Sequence, residues 1–238
     1  MLKIDDIKSI DSHNMIGVYD RWPQIASDNF STDFSKIDIK NIDHIVFAGM
    51  GGSGTIGDVF ASILSKTDLH VSVVKGYLLP KTVDDNTLVV STSISGNTLE
   101  TISILKNVEK LNAKFVAIFS GGIMEKFCKD KNIKSYKIHE EHSPRASFLG
   151  FLYSTLNILE QIIPVKKIDI DKSIQSLFNL QRIISSENLN ETNEALQIAQ
   201  WIKEIPMVYY PSGLQSTAIR FKNSMQENAK THVMTEDV

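Results

Sequence analysis

The chain has 238 residues, 42% hydrophobic and 22% charged, with a formal net charge of −3. That apolar share can bury one large core or two modest ones, and the nearly balanced charge, with no basic stripe or tail, excludes the electrostatic footprint of a nucleic-acid binder. The single cysteine, Cys128, excludes an internal disulfide and a multi-cysteine metal site, and it reads as a small buried apolar residue.

The stretch from Met1 to Ile7 mixes acids with apolar residues at helical spacing, without the basic start and unbroken apolar core of a signal peptide. No run approaches the roughly 18 uninterrupted apolar residues of a membrane span, so a cytoplasmic protein with no membrane partner is expected. Residues 2–29 predict helix, and 33–41 a connection of mixed charge. A strand follows near 43–48. A helix from about 54 to 64 places Ile56, Val59, Phe60, Ile63 and Leu64 on one face.

Further strands are predicted near 70–74, 87–91, 114–119 and 134–138, with helices near 97–111 and 122–130. Continuous apolar runs such as 115–119 suit a sheet covered on both faces, and the alternation of strand and helix predicts a doubly wound parallel sheet with right-handed crossovers. Residues 146–163 read as a strongly apolar helix stopped by Pro164. Residues 165–192 are polar, with helical spacing, and link two halves. A second strand, loop and helix begin at Pro206, the helix running over about 215–228, so that two similar α/β halves are implied and the second is cut short.

Two short loops carry the chemistry. Gly49-Met50-Gly51-Gly52-Ser53-Gly54 follows the first strand, and Ser91-Thr92-Ser93-Ile94-Ser95-Gly96-Asn97-Thr98 follows the third. Each hands a parallel strand to a helix, at the carboxyl edge where open α/β sheets bind ligands. Small residues admit an anion to backbone N–H groups at a helix N-terminus, and the hydroxyls of Ser53, Ser93, Ser95 and Thr98 can donate to phosphate oxygens. Each loop taken singly also reads as a capped turn. Gly49, Gly51 and Gly54 fit the spacing G-x-G-x-x-G, but a dinucleotide site would want an acid at the end of the next strand, where Lys75-Gly76 stands instead.

With these loops in place, the chain resembles the sugar isomerase (SIS) domain family through Gly51-Gly52-Ser53-Gly54 and Ser93-Ile94-Ser95-Gly96-Asn97-Thr98. Ser143-Pro144-Arg145-Ala146-Ser147, and the string from Arg220-Phe221-Lys222-Asn223 through Gln226-Glu227-Asn228-Ala229-Lys230, narrow the likeness to the archaeal-type bifunctional phosphoglucose/phosphomannose isomerases. The resemblance implies two tandem doubly wound SIS-like domains: the first over 1–163, then linker helices and the start of a truncated second over 164–238. Family members continue well beyond this point, so the chain is expected to be a fragment.

Carried over, the resemblance makes Gly52, Ser53, Ser93, Ser95 and Thr98 the phosphate ligands, Arg145 the group that stabilises an enediolate, and Glu227 the base. Without it, Glu227 reads as a solvated helix carboxylate and Arg145 as the ion-pair partner of Glu140 or Glu141. The family's ring-opening histidine lies further downstream of the glutamate than His232, which is the fallback within this chain. Cofactor-free isomerisation of a small sugar phosphate is implied, with a homodimer as the assembly. The competing reading is a non-catalytic phosphosugar sensor using the same pocket. His139-Glu140-Glu141-His142 is read as an exposed loop rather than a metal site, because Ser143-Pro144 disfavours a helix there and no third ligand is evident.

Overall fold

A computed structural model of the chain describes residues 2–107 and 110–238. The N-terminal segment folds as three helices, α1 (Ile4–Ile10), α2 (Met15–Asp20) and α3 (Trp22–Ser31), rather than one stretch over 2–29. The break is local in origin. The Asp11 carboxylate accepts from the backbone N–H groups of Met15 and Ile16 at 2.9 and 2.7 Å, and Asn14 adopts φ 55°, the left-handed region that Asn tolerates. Met1 lies outside the described residues.

Five strands, β1 (His44–Ala48), β2 (His70–Val74), β3 (Thr87–Ser93), β4 (Lys114–Phe119) and β5 (Ser135–Lys137), form one sheet in the order β2-β1-β3-β4-β5. Every neighbouring pair is parallel. The crossovers are α4 (Gly51–Leu64), α5 (Leu99–Asn107) and α6 (Gly122–Asp130), and α7 (Phe148–Ile158) and α8 (Lys167–Ile184) follow. The far end of the helix expected over 97–111 includes Val108 and Glu109, which lie outside the described residues.

The strand period of two sorts the side chains into two layers. Ile45, Phe47, Leu88, Val90, Val116 and Ile118 bury on one face with residues of α3, α4 and α7. Val46, Ala48 and Val89 turn to the other face with Ile104 of α5; Ala117 and Phe119 do so with Ile102, Leu105, Met124 and Cys128 of α5 and α6. A sheet buried on both faces is why its strands read as unbroken apolar runs. All eleven residues of α7 are buried, and the rings of Phe47 and Phe60 stack at 4.6 Å. On α4 the stripe centres on Ile56, Phe60 and Leu64, with Val59 packed at its margin; Ile63, expected on the same face, lies at the flank and is 43% exposed.

Beyond α8 come α9 (Glu194–Trp201), β6 (Met207–Tyr210), α10 (Gln215–Ser224), a π-helical turn over Met225–Ala229 and β7 (Met234–Asp237). Strands β6 and β7 pair in parallel as a second, two-stranded sheet. The helix expected over 215–228 therefore changes pitch at Met225, and α9 and β7 are additions to the sequence reading. Helix α10 packs against α4, which brings the C-terminal segment to the carboxyl edge of the larger sheet. Among the described residues, no helix is long and apolar enough to cross a membrane.

Candidate active site

Strands β1 and β3 are neighbours whose crossovers leave in opposite directions, so a crevice opens between their carboxyl ends, the switch point at which doubly wound sheets bind ligands. Helix α4 begins at Gly51, three residues earlier than the sequence suggests. Gly51 to Gly54 are thus the first turn of a 14-residue helix, where N–H groups lack intrahelical acceptors and the helix dipole favours an anion. Gly51 has φ +53°, and a Cβ on Gly52 would meet nothing nearer than the Pro144 carbonyl oxygen at 4.0 Å, so an anion can approach this backbone closely.

The second loop is shorter than the motif suggests, because Ser91, Thr92 and Ser93 belong to β3. Ser53 Oγ accepts from the Ile94 N–H at 3.3 Å, joining the two loops. Ser93 Oγ accepts from the Gly96 N–H at 3.1 Å and lies 2.8 Å from Thr98 Oγ1. Asn97 Oδ1 accepts from the Ile123 N–H at 3.1 Å, which ties the loop to the start of α6. Gly96 has φ +67°, and a Cβ there would lie 1.8 Å from the Gly121 carbonyl oxygen.

Both loops open onto a cleft of about 290 Å³ that is also lined by Pro144, Arg145, Arg220 and Glu227. Arg145 Nη1 is 3.5 Å from Glu227 Oε2, with the two side chains 34% and 44% exposed. The alternative partners of Arg145 are engaged elsewhere, Glu141 with Arg21 at 3.4 Å and Glu140 with the Ser120 hydroxyl at 3.2 Å. Glu227 sits on the π-helical turn, a local irregularity often found at functional sites. Its carbonyl accepts from Lys230 Nζ at 2.6 Å.

Sequence reading missed Arg220. Its guanidinium donates to the Arg145 carbonyl at 2.7 Å and lies 4.8 Å over the Phe148 ring. Burial pushes it below the usual arginine range, against the pull of Tyr19 and Glu227 and with the push of Arg145. The missed signal was its spacing, seven residues before Glu227 and so two helical turns away on one face.

Of the expected phosphate ligands, Gly52, Ser53, Ser95 and Thr98 line the cleft. Ser93 lies beneath it, 2% exposed, with its hydroxyl committed to Gly96 and Thr98. His232 is exposed, between the π turn and β7, and is not among the cleft residues. His142 packs edge-on to His13 at 6.2 Å, and among the described residues no group of three or more His, Cys, Asp and Glu could hold a metal ion. Cys128 is buried, and burial raises its thiol to about 11.

An arrangement of this kind can hold an anion at two helix N-termini, with a carboxylate and a guanidinium lining the same cleft. Residues 38–161 match the model of the SIS domain, and residues 191–238 match that of the "Bacterial phospho-glucose isomerase C-terminal SIS domain". The bifunctional phosphoglucose/phosphomannose isomerase of Caldicellulosiruptor bescii is 32% identical over 82% of this chain and 59% of its own length. The D-glucosamine-6-phosphate 4-epimerase of Sulfolobus acidocaldarius is 30% identical over 91% of this chain and 66% of its own. The chain thus spans less than two thirds of the length of either relative. Among solved structures, the C-terminal domain of glucosamine-fructose-6-phosphate aminotransferase from Francisella tularensis superposes with a TM-score of 0.66 at 17% identity, over 94% of this chain and 69% of that one, a likeness of fold.

Proposed function

Because the chain belongs to the SIS domain family, we propose that it serves a phosphosugar isomerase that interconverts glucose 6-phosphate, and mannose 6-phosphate, with fructose 6-phosphate through an enediolate. The observation that carries this reading is the Arg145–Glu227 pair at 3.5 Å, facing two anion-binding loops across one cleft. Aldose–ketose isomerisation moves a proton between C1 and C2, so it needs a base that reaches both carbons and a cation beside the oxygen that becomes negative. Glu227 takes the first role and Arg145 the second. A donor fixed at a developing oxyanion contributes roughly 3 to 4 kcal/mol in comparable sites.

The phosphate is held by the Gly52 backbone and by Ser53, Ser95 and Thr98, while Ser93 keeps Gly96 and Thr98 in place. Holding the phosphate fixes the reacting carbons against Glu227, and that positioning supplies much of the rate. His232 has no part in the reaction read this way. No cofactor enters it. The same reading takes 1–163 as one SIS-like unit and 164–238 as linker helices and the opening of a second, in a cytoplasmic enzyme that works as a homodimer.

The likeness to an amino-sugar epimerase over 91% of the chain favours a second substrate class, so glucosamine 6-phosphate belongs in the test. Fructose 6-phosphate and glucosamine 6-phosphate are each incubated with the chain, and the products are resolved by NMR. Glucose 6-phosphate and mannose 6-phosphate appearing from fructose 6-phosphate support the isomerase; a change only in glucosamine 6-phosphate supports the second class. Sugar phosphate bound without turnover is the result of a sensor, or of an isomerase that needs the further length its relatives have; turnover by a longer chain separates the two.

A further inference from the structure

The reaction above gives Arg220 no task, although its guanidinium reaches the cleft and its Nε is buried without a hydrogen-bond partner. What it does touch is the turn that presents Arg145. Arg220 Nη2 donates to the Arg145 carbonyl at 2.7 Å, and its plane covers the ring of Phe148, the first residue of α7, at 4.8 Å. The same turn is held from other directions. Trp22 Nε1 donates to the Ala146 carbonyl at 2.7 Å, and Ser147 Oγ accepts from the Glu141 N–H and donates to the Ser143 carbonyl, each at 2.9 Å.

Among these ties, the one from Arg220 differs in origin, because it comes from the helical segment that carries Glu227, two turns further on. The direct Arg145–Glu227 pair is long and half-exposed, and such a pair fixes little on its own. A planar guanidinium that both stacks on a ring and donates to a carbonyl is a stiffer link, and lysine cannot reproduce it.

We propose that Arg220 is a positioning residue that locks the Arg145 turn to the helix bearing Glu227, so that base and cation keep one spacing across the reacting carbons. The proposal rests on the isomerase reading for its consequence in catalysis, and on the geometry alone for the link itself.

The test uses the 238-residue chain with Arg220→Met and Arg220→Lys. For fructose 6-phosphate isomerisation, kcat falls roughly 100-fold in both variants, the order expected of a misplacement near 1 Å, while KM stays near the wild-type value. A raised KM with kcat unchanged would put Arg220 on the substrate and overturn the proposal. Wild-type kcat in Arg220→Lys would also overturn it, since charge alone would then suffice. A second readout needs no turnover: Arg145 Nε is itself buried, although its side chain as a whole is 34% exposed, so its N–H should give a slowly exchanging 15N signal in the wild type and a rapidly exchanging one in Arg220→Met, and unchanged protection would overturn the link. Arg220→Lys, which keeps the charge, should bind inorganic phosphate as the wild type does; weakened binding in that variant would put Arg220 on the anion and overturn the proposal. If Arg220→Met does not fold, Arg220→Lys carries both readouts; if the wild type isomerises no sugar, the exchange measurement alone decides the link.

Discussion

Gly96→Ala is expected to be the most damaging methyl group that can be added to the phosphate loops. Gly96 has φ +67°, and a left-handed conformation costs a residue with a Cβ about 1–2 kcal/mol. The new carbon would lie 1.8 Å from the Gly121 oxygen and 2.7 Å from its carbonyl carbon, backbone atoms that no rotamer change can move aside. Overpacking of this kind costs about 1–3 kcal/mol, so the total should be about 2–5 kcal/mol, a large part of the ~5–15 kcal/mol that holds a domain folded. Gly52→Ala is the control. Its Cβ meets nothing nearer than 4.0 Å, and alanine in a helix is favoured over glycine by up to about 1 kcal/mol. Urea unfolding of both variants, with midpoints compared at unchanged slope, decides the matter. A loss below about 0.5 kcal/mol for Gly96→Ala, or an equal loss for Gly52→Ala, would refute the reasoning from backbone contact.

Gly52→Ala should nevertheless weaken binding of inorganic phosphate, measured by calorimetry, because the methyl group projects into the cleft that Gly52 lines. Glu227→Gln should lower kcat by roughly 10²–10⁴-fold while leaving phosphate affinity intact; loss of both together would place Glu227 on the anion instead. Phe60→Ala should cost about 3–5 kcal/mol in urea unfolding, since Phe60 is fully buried and stacked on Phe47. The Cys128 thiol is raised from 9.0 to about 11 by burial, so between those values the native state keeps a proton that the unfolded chain has lost. Its contribution is complete below about pH 9 and fades as pH rises through 11, on the order of 2 kcal/mol. Unfolding at pH about 8 and about 10.5 should show a loss that Cys128→Ala removes.

The sheet was legible because its strands are buried on both faces, so each reads as an apolar run between turn residues. The strand at 114–119 and the helix at 122–130 fall where the sequence places them. Boundaries set by side-chain to backbone bonds were not legible. Nothing in the periodicity of 2–29 says that Asp11 will cap the chain behind it, or that β3 will run on through Ser93 to pair with Phe119 of β4. Strand β7 was missed because its residues, Met234-Thr235-Glu236-Asp237, are half acidic and mostly exposed, and its pairing with β6 is a long-range event. At the site, the loops were legible as motifs, whereas Arg145 and Glu227 stood out only through the resemblance, and residue types alone paired Arg145 with Glu140 or Glu141. Arg220 stood in the same string as Glu227 but without a role, because its partner is a backbone carbonyl 75 residues away, and no residue type in the sequence marks a carbonyl.

The central claim is that Glu227 moves a proton between adjacent carbons of a bound sugar phosphate. It is tested most directly by incubating the chain and Glu227→Gln with fructose 6-phosphate in deuterated water and following C1 and C2 by NMR. The account predicts aldose 6-phosphate formed by the wild type with deuterium entering at those carbons, and neither product nor label with Glu227→Gln. Product and label from Glu227→Gln at the wild-type rate would contradict it.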